Sequence, residues 1–296
     1  MKRPVSIVIA VMLLVSSISA GEREDRLRAK IDSLVGGVQG TFAVAFRDLT
    51  TGTSLMVNAD QSFHAASTMK TPVMIEVFRR AERGFFSLDD SLPVENSFKS
   101  IVDGSNYAMD LGEDSDDGLY RSLGQRVSIR TLVEKMITVS SNLATNILVE
   151  LVGAPSVTAT MRGFGADSIR VLRGVEDGKA FSLGLNNTTT ARDLAVIFET
   201  LARKRAATEA SCDSMLAVLG RQAFRDMIPA HLPRNVSVAH KTGSITSIQH
   251  DSGIVTLPDG RSYVLVILSK GLKSNASGIR TVAEISKLVY DYEMGA

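Results

Sequence analysis

The stretch FHAASTMKTPVMIEVFRRAERG, residues 63–84, decides how the rest of the chain reads. Its apolar positions predict a helix running to about Arg83, and Ser67 and Lys70 stand three positions apart at the helix mouth. Residues three apart on a helix share a face. Backbone N–H groups in a first turn have no intrahelical partner, so a serine there suits a cap. It also suits a nucleophile, with a lysine amine one turn away as its base and the positive helix end beside both. Pro72 is tolerable so close to a helix start, because the donor it lacks is one of the unpaired ones. Many serines and lysines fall at this spacing by chance, so the choice rests on the remaining sequence.

Upstream, EREDRLRAKIDSLV has helical periodicity, and GTFAVAFRDLTTGTSLMVNAD reads as two strands turning at Thr50–Gly52. Downstream, SIRTLVEKMITV, LATNILVELVG, TTTARDLAVIFETLARKR and SCDSMLAVLGRQAF read as helices, with Ser128 and Thr188 to Thr190 as cap candidates. SVAHKTGSI then reads as a strand. SGIVTLPDGRSYVLVILSKG reads as a hairpin turning at Pro258-Asp259-Gly260, and GIRTVAEISKLVYDYEM as a closing helix. This order predicts an α/β (α+β) fold, an antiparallel sheet flanked by terminal helices with an inserted all-helical domain. The expected division is a sheet domain from 21–62 and 215–296, with 63–214 inserted and a cleft between the two.

Residues 1–20 read as a cleavable export signal: Lys2 and Arg3, an apolar run from Val5 to Val15, then residues to Ala20 that are small except for Ile18. The run is short for a membrane span, so a periplasmic or secreted protein with no membrane attachment after cleavage is expected. A formal net charge of +1 and 22% charged residues give no basic surplus for nucleic acid. The absence of Trp gives no stacking platform. A single cysteine, Cys212, has no internal partner and reads as a core residue. His64, His231, His240 and His250 have no metal-ligand spacing, and no metal or cofactor is expected. The acids Asp110, Glu113, Asp114, Asp116 and Asp117 lack the ligand order of a calcium loop and read as a solvated connector.

Two further segments join Ser67 and Lys70. In TVSSNLATN, Ser140, Ser141 and Asn142 lie in a break between apolar helices, as caps or as groups facing a cleft. In HKTGSITS, strand alternation puts Lys241 and Gly243 on one side and Thr242 and Ser244 on the other. Gly243 permits close approach of another backbone or a ligand. Each segment alone is weak. SxxK, SxN and KTG in that order, on a helix start, an inter-helix break and a strand, form the signature of penicillin-binding serine hydrolases. From Glu22 onward the chain resembles a class A-type serine β-lactamase in motifs and in element order.

The resemblance implies that Ser67 attacks the lactam carbonyl, Lys70 acts as its base, and Ser140 relays a proton to the leaving nitrogen. It further implies that Asn142 orients the substrate amide or Lys70. The Ser67 and Ser244 N–H groups would form an oxyanion hole, and Lys241, Thr242, Gly243 and Ser244 would line the substrate-binding side. Asn146 matches a structural asparagine of the family. Glu176 is the candidate for the deacylating glutamate, with Asp177 as its neighbouring alternative and an exposed acidic loop as the plain reading. The sequence departs from the family in five places, one of them near Asn187, where the acid usually paired with the loop arginine is replaced. The loop runs Arg173-Gly-Val-Glu176 where Arg-x-Glu is usual, and Ala180 replaces an expected asparagine. Ser141 replaces the aspartate of SDN. His250 and Asp251 stand where a basic residue is expected after KTG. The substrate expected is a small-molecule β-lactam and the chain a monomer. The competing readings are a D-Ala-D-Ala carboxypeptidase or transpeptidase, and a sensor that acylates without turnover.

Overall fold

The computed structural model describes residues 20–295. The export signal expected over residues 1–20 lies outside the described residues, except for Ala20 at the start of the first helix. Five antiparallel strands form the main sheet: β1 (Thr41–Asp48), β2 (Ser54–Val57), β3 (Ser237–Ile245), β4 (Ile248–Thr256) and β5 (Ser262–Lys270). Their order is β2-β1-β5-β4-β3, so the two ends of the chain meet at the pairing of β1 with β5, for example Val44 opposite Ile267.

Both faces of this sheet are buried, and period-two alternation divides its side chains between two cores. On β5, Tyr263, Leu265 and Ile267 enter one core, and Val264, Val266 and Leu268 enter the other. The first core is closed by the terminal helices α1 (Ala20–Gly36) and α9 (Asn275–Glu293), through Leu27, Ile31, Val282, Ile285 and Val289. The second contains α2 (Lys70–Glu82), α3 (Ile129–Thr138), α4 (Asn142–Val152), α5 (Ala154–Gly163), α7 (Ala191–Ala202) and α8 (Glu209–Gly220). A five-residue helix, α6 (Gly178–Ser182), lies in the loop before α7. Cys212 is buried in the second core.

Segment 63–214 carries short β-ladders among its helices. Short ladders pair Phe63–His64 with Thr188–Thr189, Ser91–Pro93 with Arg126–Ser128, and Phe98–Lys99 with Asn106–Tyr107. The first ladder matters for function because it ties the residues just before Ser67 to the far end of the 172–187 loop. No single described helix is long and apolar enough to cross a membrane. The bent pair α4–α5 passes by composition only, and its apolar side chains lie in the core.

Candidate active site

Ser67 lies in a single 3-10 turn, Ala66–Met69, that leads directly into α2. Neither helical start carries a side-chain cap bond, so the hydroxyl of Ser67 is not used as a cap. The two readings of SSN divide between neighbours. Ser141 is the N-cap of α4 and accepts from the Ala144 N–H, which leaves the Ser140 hydroxyl free to face Lys70. Ser128 and Thr190 cap α3 and α7 as their sequence positions predict.

Lys70 is fully buried. Its Nζ lies 2.7 Å from the Ser140 carbonyl, 2.8 Å from Asn142 Oδ1 and 3.1 Å from Ser140 Oγ. The first two partners can only accept. Two N–H bonds satisfy them, so a neutral amine keeps its lone pair in the third direction. Burial pulls the Lys70 pKa down to about 7, against the opposing pull of Asp114 and Glu176. Lys241, on the edge strand β3, places its Nζ 3.1 Å from the same Ser140 Oγ and 2.9 Å from the Thr242 carbonyl. Burial and the charge of Lys70 hold Lys241 well below the usual lysine range. A hydroxyl between two buried amines, each with a lowered proton affinity, is a short path for a proton.

Gly243 faces the Ser67 turn. A Cβ there would sit 3.2 Å from Ser67 N, Ala66 Cβ and Thr68 Cγ2, so its role is to admit the neighbouring backbone. Ser67, Thr242 and Ser244 line a pocket of about 350 Å³ with Ser140, Asn142, Glu113, Gln249 and Phe224. Ser67, Asn142 and Ser244 also line an adjoining cleft of about 550 Å³ with His64, Val175, Glu176, Phe181 and Ile245. Ser67 therefore sits where the two meet.

Glu176 reaches this site despite the longer Arg173-to-Glu176 spacing. Its Oε1 accepts from Asn142 Nδ2 at 2.7 Å, and its Oε2 accepts from the Asp110 N–H at 3.0 Å. Asp177 lines the same cleft, but its carboxylate is engaged elsewhere. It is buried, and its carboxylate caps α6 and accepts from Ser100 Oγ and the Ile101 N–H. Asn146 clamps the loop by accepting from the Val175 N–H and donating to the Val175 carbonyl. Asn187, near the position of the expected acid, closes the loop: its Oδ1 accepts from the Leu172 and Arg173 N–H groups and its Nδ2 donates to the Arg173 carbonyl. Six described non-glycine residues have positive φ, and Ala66, Ser140 and Glu176 are three of them. Backbone strain is therefore concentrated around the cleft.

His250 and Asp251 do not reach the pocket. The His250 ring is buried, with Nε2 donating to the His64 carbonyl and Nδ1 accepting from the Ser269 N–H. Asp251 pairs with buried His240 and accepts from the Ile228 and Ser252 N–H groups. Gln249 lines the pocket instead, donating to Ser244 Oγ at 2.8 Å. No motif in the sequence marks that glutamine. The acidic connector is also less solvated than its composition suggests. Buried Asp116 pairs with Lys135 at 3.0 Å, and Asp114 binds the start of α4.

The chain matches the family described as the β-lactamase enzyme family over residues 26–293. Among curated proteins it is similar to a β-lactamase of Bacteroides uniformis, 23% identical over 96% of this chain and 97% of that one. It is also 23% identical to the extended-spectrum β-lactamase PER-1 of Pseudomonas aeruginosa, over 96% of this chain and 92% of that one. Among solved structures, a β-lactamase from Sphaerobacter thermophilus superposes with a TM-score of 0.78 at 25% identity, covering 90% of this chain and 97% of the other. A penicillin-G acyl-enzyme complex of a point mutant of PBP-A superposes with a TM-score of 0.79 at 27% identity, covering 92% of this chain and 97% of the other. With its sheet order, its helical lobe and a match spanning nearly its whole length, this chain belongs to the β-lactamase enzyme family.

Proposed function

We propose that the protein hydrolyses β-lactams through an acyl-enzyme on Ser67, without metal or cofactor. Neutral Lys70 takes the Ser67 proton as Oγ attacks the lactam carbonyl. The Ser67 and Ser244 N–H groups receive the oxyanion, an interaction that is worth several kcal/mol of barrier in such sites. Ser140 passes a proton to the lactam nitrogen as the C–N bond breaks, and Lys70 and Lys241 on either side resupply it. Thr242, Ser244 and Lys241 take the substrate carboxylate end, with Gln249 holding the Ser244 hydroxyl. Glu176 then removes a proton from a water that attacks the ester, and as the ester C–O bond breaks that same proton passes through Lys70 to Ser67 Oγ, leaving Glu176 and Lys70 as they began.

The observation that carries this reading is the placement of Glu176. It is joined through Asn142 to Lys70 and opens on the same cleft as Ser67. A site that only acylates has no need of a carboxylate there. The division into a sheet lobe (21–62 with 215–296) and an inserted lobe (63–214), an exported periplasmic or secreted location, and a monomeric state belong to the same proposal. The lobe division is supported by the sheet, which joins strands from both ends of the chain.

The test is a time course of β-lactam consumption by the mature protein with substrate in large excess. Sustained turnover well beyond one equivalent is expected. A burst that stops near one equivalent would leave Ser67 acylated and water unactivated, and the peptidase or sensor reading would replace this one.

A further inference from the structure

Ser141 lacks the carboxylate that the resembled family carries in the middle of its SDN segment. A different carboxylate occupies the start of α4. Asp114, 28 residues upstream in the connector, accepts from the Asn142 N–H through Oδ1 and from the Leu143 N–H through Oδ2, each at 2.9 Å. Ser141 Oγ accepts from the Ala144 N–H, and the Ser141 N–H donates to the Lys135 carbonyl. Every free N–H at this helix start is therefore partnered, two of them by Asp114. The Asp114 carboxylate is itself held by the Asp116 N–H and the Tyr120 hydroxyl.

Asn142, the residue so clamped, is the hinge of the site. Its Oδ1 accepts from Lys70 and its Nδ2 donates to Glu176. We propose that Asp114 is a positioning residue for acylation, holding Asn142 in register with Lys70 and Glu176 and supplying the negative charge that Ser141 does not. This rests on the reading of Lys70 as the base for Ser67.

The charges around Lys70 are few. Asp114 faces it from the connector, Glu176 from the 172–187 loop and Lys241 from β3. On α2, Glu76 is engaged with Arg80 and Thr160, and on α3, Lys135 is engaged with Asp116. Asp114 is the first-named charge opposing the effect of burial on Lys70. Without it, Lys70 binds its proton less tightly, and the acid limb of acylation moves to lower pH.

The experiment measures the acylation rate of a chromogenic cephalosporin by stopped flow across the pH range in four proteins: wild type, Asp114→Asn, Asp114→Glu and Asp114→Asn with Ser141→Asp. For Asp114→Asn we expect a slower rate and an acid limb shifted down by at least about half a pH unit. Asp114→Glu keeps the charge and should keep the limb. The double variant restores a carboxylate at the helix start and should return the limb towards wild type. An unmoved limb in Asp114→Asn, with only a uniform loss of rate, would mean a purely structural role and overturn the proposal. If Asp114→Asn does not fold, the double variant decides: folding with a wild-type limb supports the proposal, and failure to rescue overturns it. Absence of acylation in the wild type would instead sink the underlying reading of Ser67 and Lys70.

Discussion

Asn142 Nδ2 and Glu176 Oε1 meet at 2.7 Å although they lie 34 residues apart, one on the first turn of a helix and the other on a long loop. The contact puts a carboxylate on the same amide that receives Lys70. It links the group proposed for acylation to the group proposed for deacylation through one side chain. The dependence of each step on its own residue is therefore open to separate measurement.

Glu176→Gln should acylate and then stall. Glutamine keeps the shape but cannot take a proton from water, so deacylation should fall by about 10²–10⁴-fold. Intact-protein mass spectrometry after mixing with a β-lactam should show a lasting adduct, absent from Ser67→Ala. If Glu176→Gln turns over like its parent, the deacylating base is elsewhere.

Acylation should rise with pH through about 7, because burial lowers the Lys70 pKa to that value and only the neutral amine accepts the Ser67 proton. Below that pH the amine is protonated and the rate falls about tenfold per unit. Single-turnover acylation rates from pH 5.5 to 9 provide the check. A rate that is flat over this range would remove Lys70 from the role of base.

Asn146→Ala should loosen the loop that carries Glu176. It leaves the Val175 N–H without its partner, at up to about 1–3 kcal/mol, and takes one of two donors from the Val175 carbonyl, which keeps the Tyr107 hydroxyl. Gly174→Ala should act similarly, because its Cβ would collide with the Asn146 side-chain amide. Both should lower the melting temperature and slow deacylation more than acylation. Equal slowing of the two steps would argue against a loop-specific effect.

His250 should make the protein acid-sensitive. Its folded pKa is lowered to about 4 by burial, against an ordinary value of 6.5. Between those values the unfolded chain takes up a proton that the folded chain refuses, so stability falls as pH drops from 6.5 towards 4. The full loss is roughly 3 kcal/mol, and there is no effect above 6.5. Urea unfolding at pH 7 and pH 4.5 should show a smaller pH difference in His250→Gln than in the parent. An equal difference would assign the acid sensitivity to other groups.

The three motifs proposed for catalysis were legible because each part is local. SxxK needs only helical spacing, SxN a break between two apolar helices, and KTG a strand. Much of the main sheet was legible for the same reason, since the apolar runs of β1 and β5 and the turn at Pro258-Asp259-Gly260 are properties of neighbouring residues. Glu176 was legible as a candidate but not as a contact, because the usual spacing is broken and loop conformation depends on what clamps it. The clamp is supplied by Asn146 and Asn187, which are distant in sequence.

Asp114 and Gln249 carried no local signal. An acid in an acidic connector and a glutamine on a strand look like surface residues until the fold brings them against a helix start and a hydroxyl. The amino-acid sequence by itself marked most of the long helices and strands, the cap at Ser128, and Ser67, Lys70, Ser140 and Lys241 as candidates, because periodicity and motif spacing are short-range. Tertiary structure decided which acids enter the site, why His250 does not, and that Asn142 couples Lys70 to Glu176. These depend on burial and on hydrogen bonds closed between segments tens of residues apart, which no local pattern encodes.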